Sequence, residues 1–302
     1  MRNEFVNAII NNYEKNNNQI FITGDLGFMA LEPLVDILKN KFINGGISEQ
    51  NIVSMAAALA YDGFIPWVYS ISSFITLRPY EQIRNDVCHH NLPVKIVGNG
   101  GGYGYGIMGS THHNLEDIGI MRVLPNMKIY IPYNSSDLDE CVSLMINDDS
   151  PNYLRLNSEP KINNVKEKFT TWRNIKAGNK VVVIGIGPIL GNLFELEDNL
   201  LSELDIWALG ILPITYLPQI LVERIKKTQS VIIIEEHNSN CGLNELIAKL
   251  LLTAGINIVK FKSIASKGYQ NGLYGSHKWH LTENGLAGKN LEKEILDFIK
   301  IL

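Results

Sequence analysis

The chain has 302 residues, 45% of them hydrophobic and 19% charged, enough for two ordinary globular domains with real cores. A net charge of −4 with scattered basic residues excludes the basic stripe of a nucleic-acid binder. No apolar run approaches the ~18 residues of a membrane span, no secretory core follows the start, and Cys88, Cys141 and Cys241 are odd in number and far apart, reading as reduced thiols of a cytoplasmic protein.

The first strand is expected at 20–23, with Asp25 directly after it. Next comes a Gly45-Gly46 turn and Ile47-Ser48-Glu49-Gln50-Asn51, leading into the small apolar residues 52–60, which suit a buried helix. Glu49 can be an ordinary first-turn charge, since helix N-termini favour acids. It can also be a buried acid, whose charged form is disfavoured and which can share a proton with a base at neutral pH. A strand at 64–69 is followed by Ser72, Ser73 and Phe74. Phe74, Leu77 and Tyr80 recur at i, i+3 and i+6, as either a core stripe or an apolar wall for a flat heterocycle.

A strand at 94–98 opens the glycine-rich stretch Gly98 to Gly109. It does not complete a dinucleotide fingerprint before a helix. Its glycines allow positive φ and close approach to a ligand. Ser110-Thr111-His112-His113-Asn114 follows, and two adjacent histidines at a strand end are good polar groups for a substrate. No matching acid or Cys set accompanies them, so no metal site is assigned.

Strands are expected at 128–131 and 153–156, then at 181–185, 205–209, 231–235 and 257–261 in the second half. Gly185-Ile186-Gly187-Pro188 reads as a structural turn, and Glu235-Glu236-His237 as an interface or supporting feature. Continuous apolar strands spaced by helices predict an α/β protein with two parallel-sheet, three-layer domains. The expected divisions are 1–158 for the first domain, a polar linker at 159–176 and 177–302 for the second. Function in such sheets sits at the carboxyl ends of the strands.

Taken together, these segments resemble the carboxyl-terminal half of the transketolase family. The matching text is Thr23-Gly24-Asp25-Leu26, Gly46 to Asn51, Ser73-Phe74 with Tyr80, Gly109 to His113, Leu115 to Asn126, and Ile234 to His237 with Gly242-Leu243. The motifs are ordered, correctly spaced and spread over nearly the whole chain. The resemblance implies a pyrimidine-binding domain followed by the family's carboxyl-terminal domain, and thiamine diphosphate as cofactor. Glu49 matches the acid that drives the cofactor's 4′-amino group to its imino tautomer from N1′. Phe74 and Tyr80 match residues packed on the aminopyrimidine. Leu77 stands where an aromatic is common, and Asp25 matches an acid near the thiazolium. Catalytic roles fall to Glu49 and His112, with His112 and His113 binding the donor's oxygen atoms.

The departures also carry implications. The family holds the diphosphate through Mg2+ on a Gly-Asp-Gly motif and a downstream Asn, and Gly24-Asp25-Leu26 is not that motif. The metal and diphosphate are therefore expected on a partner, an amino-terminal subunit, in an α2β2 assembly that includes homodimerisation of this chain. Ser158 takes the place of a phosphate-binding Arg, Met108 that of an acid reading the acceptor hydroxyl, and Gly100 that of a donor-contacting His. Losing a bidentate phosphate clamp weakens a terminal phosphate. The expected activity is transfer of a two-carbon ketol unit from a ketose to a modified or activated sugar in carbohydrate metabolism. The alternatives are a β-type subunit of a 2-oxo acid decarboxylase or dehydrogenase, and a non-catalytic regulatory subunit.

Overall fold

The computed structural model describes residues 1–14, 16–158, 168–269 and 272–300. Twelve strands are present among these residues. They are β1 (Gln19–Thr23), β2 (Phe42–Asn44), β3 (Ile65–Ile71), β4 (Lys95–Asn99), β5 (Lys128–Tyr130), β6 (Asn152–Leu156), β7 (Trp172–Lys176), β8 (Val181–Ile186), β9 (Leu204–Leu209), β10 (Ile211–Leu212), β11 (Ser230–Asn238) and β12 (Lys260–Ser266). They form a seven-stranded sheet in the order β10-β5-β6-β4-β3-β1-β2 and a five-stranded sheet in the order β12-β11-β8-β9-β7. β1, β6, β8 and β9 are buried at every position, as strands covered on both faces must be.

The α/β expectation holds, with three differences. Each sheet is mixed, because β10 pairs antiparallel with β5 and β7 pairs antiparallel with β9. β7 also lies inside the stretch expected to be linker, whose residues 159–167 fall outside those described. The last strand runs Lys260–Ser266 rather than 257–261, with Phe261 paired to Val231.

β1 lies between β2 and β3, so the winding direction reverses there. Such a reversal leaves a crevice beyond the carboxyl ends of the strands. The loops that carry Asp25, Glu49, Phe74 and His112 all leave the carboxyl ends of β1 to β4. One apolar core, with Ile22, Val53, Met121 and Ile131 from the first half and Ile184, Leu212 and Leu243 from the second, runs continuously between the sheets.

Candidate active site

Glu49 is the first residue of the helix Glu49–Tyr61, whose inner face is Ile52, Val53, Ala56, Ala57 and Ala60. That packing draws the helix start inward, and Glu49 is only 4% exposed. Its Oε2 accepts a hydrogen bond from Arg78 Nη1 at 2.9 Å, while Oε1 makes none among the described residues. The Arg78 guanidinium lies over the Phe74 ring, 3.8 Å from its centroid. The Phe74 ring also meets the His112 ring, with centroids 5.1 Å apart. The His112 ring is 5.9 Å from that of Tyr105, and its Nδ1 is 2.9 Å from Thr111 Oγ1. Glu49, Arg78, Phe74 and His112 are therefore one contiguous group. Arg78 was not singled out in the sequence, because an Arg beside Pro79 reads as a surface charge.

The other expected residues are placed less uniformly. The helix containing Phe74 ends at Leu77, and a new turn begins at Tyr80 after Pro79, so the i, i+3, i+6 stripe is not one helical face. Leu77 is 49% exposed. Tyr80 is half-buried and donates its hydroxyl to the Ile120 carbonyl at 2.8 Å. Asp25 is exposed, at φ 52°, and accepts from Asn44 Nδ2 at 2.9 Å. Gly100 lies against the Tyr105 ring at φ 75°, Met108 is exposed on the loop, and Ser158 is exposed just beyond β6.

His113 does not face the same space as His112. It is 2% exposed, its Nε2 donates to the Gly106 carbonyl at 2.8 Å, and its ring packs edge-on to Tyr103 and His280. Burial holds its pKa below the ordinary value. The two histidines close a turn in which both of their amides donate to the Gly109 carbonyl, at 3.0 and 3.2 Å.

Behind the group lies a buried polar network. Asp117 Oδ2 accepts from Arg155 Nε at 2.7 Å and from Tyr153 OH at 2.8 Å. Arg155 points inward from β6 to this acid, as a buried ion pair. Asn114 donates to Ser72 and Thr76, both at 2.8 Å, tying the loop after His113 to the Phe74 helix. Among the described residues, no group of three His, Cys, Asp or Glu could hold a metal ion.

Residues 1–160 match the family model for the transketolase pyrimidine binding domain. The chain belongs to the transketolase family. It is 29% identical over 268 residues to one of the subunits of the apulose-4-phosphate transketolase of Actinobacillus succinogenes, covering 86% of each chain. It is 26% identical over 208 residues to the 6-deoxy-6-sulfo-D-fructose transketolase subunit SqwH of Clostridium sp. strain MSTE9, covering 67% of this chain and 65% of that one. The fold matches a split-gene transketolase solved as an inactive β4 tetramer, with a TM-score of 0.82 at 23% identity over 99% of this chain and 97% of that one.

The protein is thus the pyrimidine-binding subunit type of a transketolase, a transferase, and the family implies thiamine diphosphate. The residues present fit the cofactor's aminopyrimidine end. Glu49 is a buried acid with one oxygen still available, and it stands beside the half-buried Phe74 ring.

Proposed function

We propose that this chain supplies the pyrimidine half of a thiamine-diphosphate site completed by an amino-terminal subunit, which holds the diphosphate and Mg2+. The assembly is an α2β2 heterotetramer with closed symmetry. It transfers a two-carbon ketol unit from a ketose to a modified or activated sugar. The observation that carries this reading is the grouping of Glu49, Phe74 and His112 at the open carboxyl edge of the first sheet.

When bound, thiamine diphosphate supplies the carbon nucleophile and the electron sink for cleavage between C2 and C3 of a ketose. The chain's own residues bind and orient around it. Glu49 Oε1 holds or releases the proton at the pyrimidine N1′, a task suited to an acid shielded from water. Phe74 would give the pyrimidine an apolar face, with Leu77 and Tyr80 as further contacts to it and Asp25 as an acid for the thiazolium. His112, braced by Thr111 Oγ1, donates to the oxygen on which charge develops. His113 keeps the loop in shape through Gly106. Met108, Gly100 and Ser158 remove the groups that would read an ordinary pentose phosphate. Relatives named for apulose 4-phosphate and for a sulfo-fructose support a substrate outside the common pentoses.

Calorimetry with thiamine diphosphate and Mg2+ tests the split. Tight binding is expected only when the partner is present, and Glu49→Gln should abolish turnover while leaving assembly intact. Turnover by the Gln variant, or ordinary transketolase rates on xylulose 5-phosphate and ribose 5-phosphate, would contradict the reading.

A further inference from the structure

Glu236 stands near the carboxyl end of β11, in the second sheet, and is buried. Its Oε1 accepts from the Tyr103 backbone N–H at 2.7 Å and from His277 Nε2 at 2.8 Å. Its Oε2 accepts from Asn157 Nδ2 at 2.7 Å, and its backbone carbonyl accepts from Arg155 Nη2 at 2.9 Å. One residue thus ties together the loop after β4, the end of β6 and the helix His277–Glu283. An acid with this many donors is stable buried. Burial alone would raise its pKa, but His277, Arg155 and the Tyr103 amide hold it below the ordinary value.

The glycine-rich loop is moulded on this carboxylate and its neighbour. A Cβ on Gly102 would lie 2.4 Å from Glu236 Oε1, and a Cβ on Gly106 would lie 2.8 Å from the His277 backbone nitrogen. Both glycines also have positive φ. Between them Tyr103 projects into the second half, where its hydroxyl meets Ser266 and the Gly268 carbonyl and its ring stacks on His280 at 4.9 Å. The same two glycines hold the histidine segment. Gly102 and Asn114 exchange backbone hydrogen bonds at 2.8 Å each way, and the Gly106 carbonyl accepts from His113 Nε2. His112 directly precedes those two tied residues, and its own amide donates to the Gly109 carbonyl at 3.0 Å. Its position is therefore referred, through Gly102 and Gly106, to Glu236.

We infer that Glu236 is the positioning residue of the transketolase substrate loop, by which the carboxyl-terminal sheet sets where His112 and Ser158 stand. Its role for the substrate rests on the proposed function; its grip on the loop does not.

The test is Glu236→Gln in the full chain, alone and with its partner subunit. Glutamine keeps the shape but sets an N–H against a donor whichever way it turns. In the chain alone, hydrogen exchange at the amides of Tyr103 and Asn114 should quicken at least tenfold. In the complex, kcat/KM for the sugar acceptor should fall about tenfold or more while thiamine-diphosphate affinity changes much less, because none of the Glu236 bonds reaches Glu49 or Phe74 directly. Should this variant fold poorly, His277→Ala removes one donor only and should give a smaller change of the same kind. His277→Gln, whose amide can still donate, should restore it. Unchanged exchange in Glu236→Gln and His277→Ala overturns the inference. So does an acceptor effect matched by an equal loss of cofactor affinity. A wild-type complex that fails to turn over any ketose would instead defeat the functional reading.

Discussion

Glu49 combines two demands that conflict in water. In the proposed role it is shielded enough to pass a proton, yet a shielded carboxylate without a partner is costly. The Arg78 guanidinium meets that cost from one side while its flat face rests on Phe74. The motif made Glu49, Phe74 and His112 legible in the sequence, because their spacing is tied to chemistry. Arg78 was not, since the contact that gives it meaning lies 29 residues away, and Glu236 was legible only as part of an interface or supporting trio, its Tyr103 partner lying 133 residues away. His113 was legible only as a residue, because its inward place depends on a turn closed on the Gly109 carbonyl and on the bond to Gly106, which no spacing announces. Ser158 gives a prediction at this scale. It is exposed at the end of β6, with its amide bonded to Asn157 Oδ1. Ser158→Arg should lower KM for a phosphorylated acceptor about tenfold, on the order of 1.5 kcal/mol for a charge-assisted contact. Initial rates on phosphorylated and unphosphorylated acceptors check it, and an equal change in both would count against the assignment of that position.

At the scale of elements, the long buried strands were readable because their apolar runs are continuous. The three unexpected ones are short or at an edge. β2 has three residues and β10 two, while β7 is the polar-mixed segment Trp-Arg-Asn-Ile-Lys paired on one side only. Turn chemistry also misled at the Phe74 stripe, where Pro79 divides what periodicity presented as one helix. A pH effect belongs to the helix Leu243–Thr253. Its first amides, Leu243 N–H at 2.7 Å and Asn244 N–H at 3.1 Å, donate to Glu235 on β11. Burial pushes Glu235 up to about 7 from an ordinary value of 4.5, against these amides and the neighbouring arginines. The folded chain then holds a proton that the unfolded chain has released, so stability falls as pH rises through that window. The full effect is about 3 kcal/mol for such a shift. Urea unfolding between pH 4.5 and 7 should show this decline, and Glu235→Gln should flatten it.

For the whole molecule, the carboxyl edge of the first sheet is unusually apolar for a surface. Phe28, Met29, Ile47, Leu77, Ile107 and Met108 are each roughly half to four-fifths exposed. Large exposed side chains gathered on one side mark a contact surface. They lie on the segments that follow β1 to β4, as the Glu49 group does, where a partner chain would close the site in the split reading. Ile47→Glu should leave the chain's own unfolding curve unchanged, since the side chain is 77% exposed, but weaken association with the partner at least tenfold. Analytical ultracentrifugation of the mixture reads this directly, and full-strength association would argue for a different contact face.

The short strand β10 has a separate consequence for dissection. It comes from the second half of the sequence, yet it caps β5 at the margin of the first sheet, above a core shared by both halves. A protease nick at residues 159–167 would cut the chain without parting the pieces. A gene truncated there would yield a fragment with a bare β-edge and an uncovered apolar flank, the usual prelude to aggregation. The two halves should be heritable only together, as one foldable cassette.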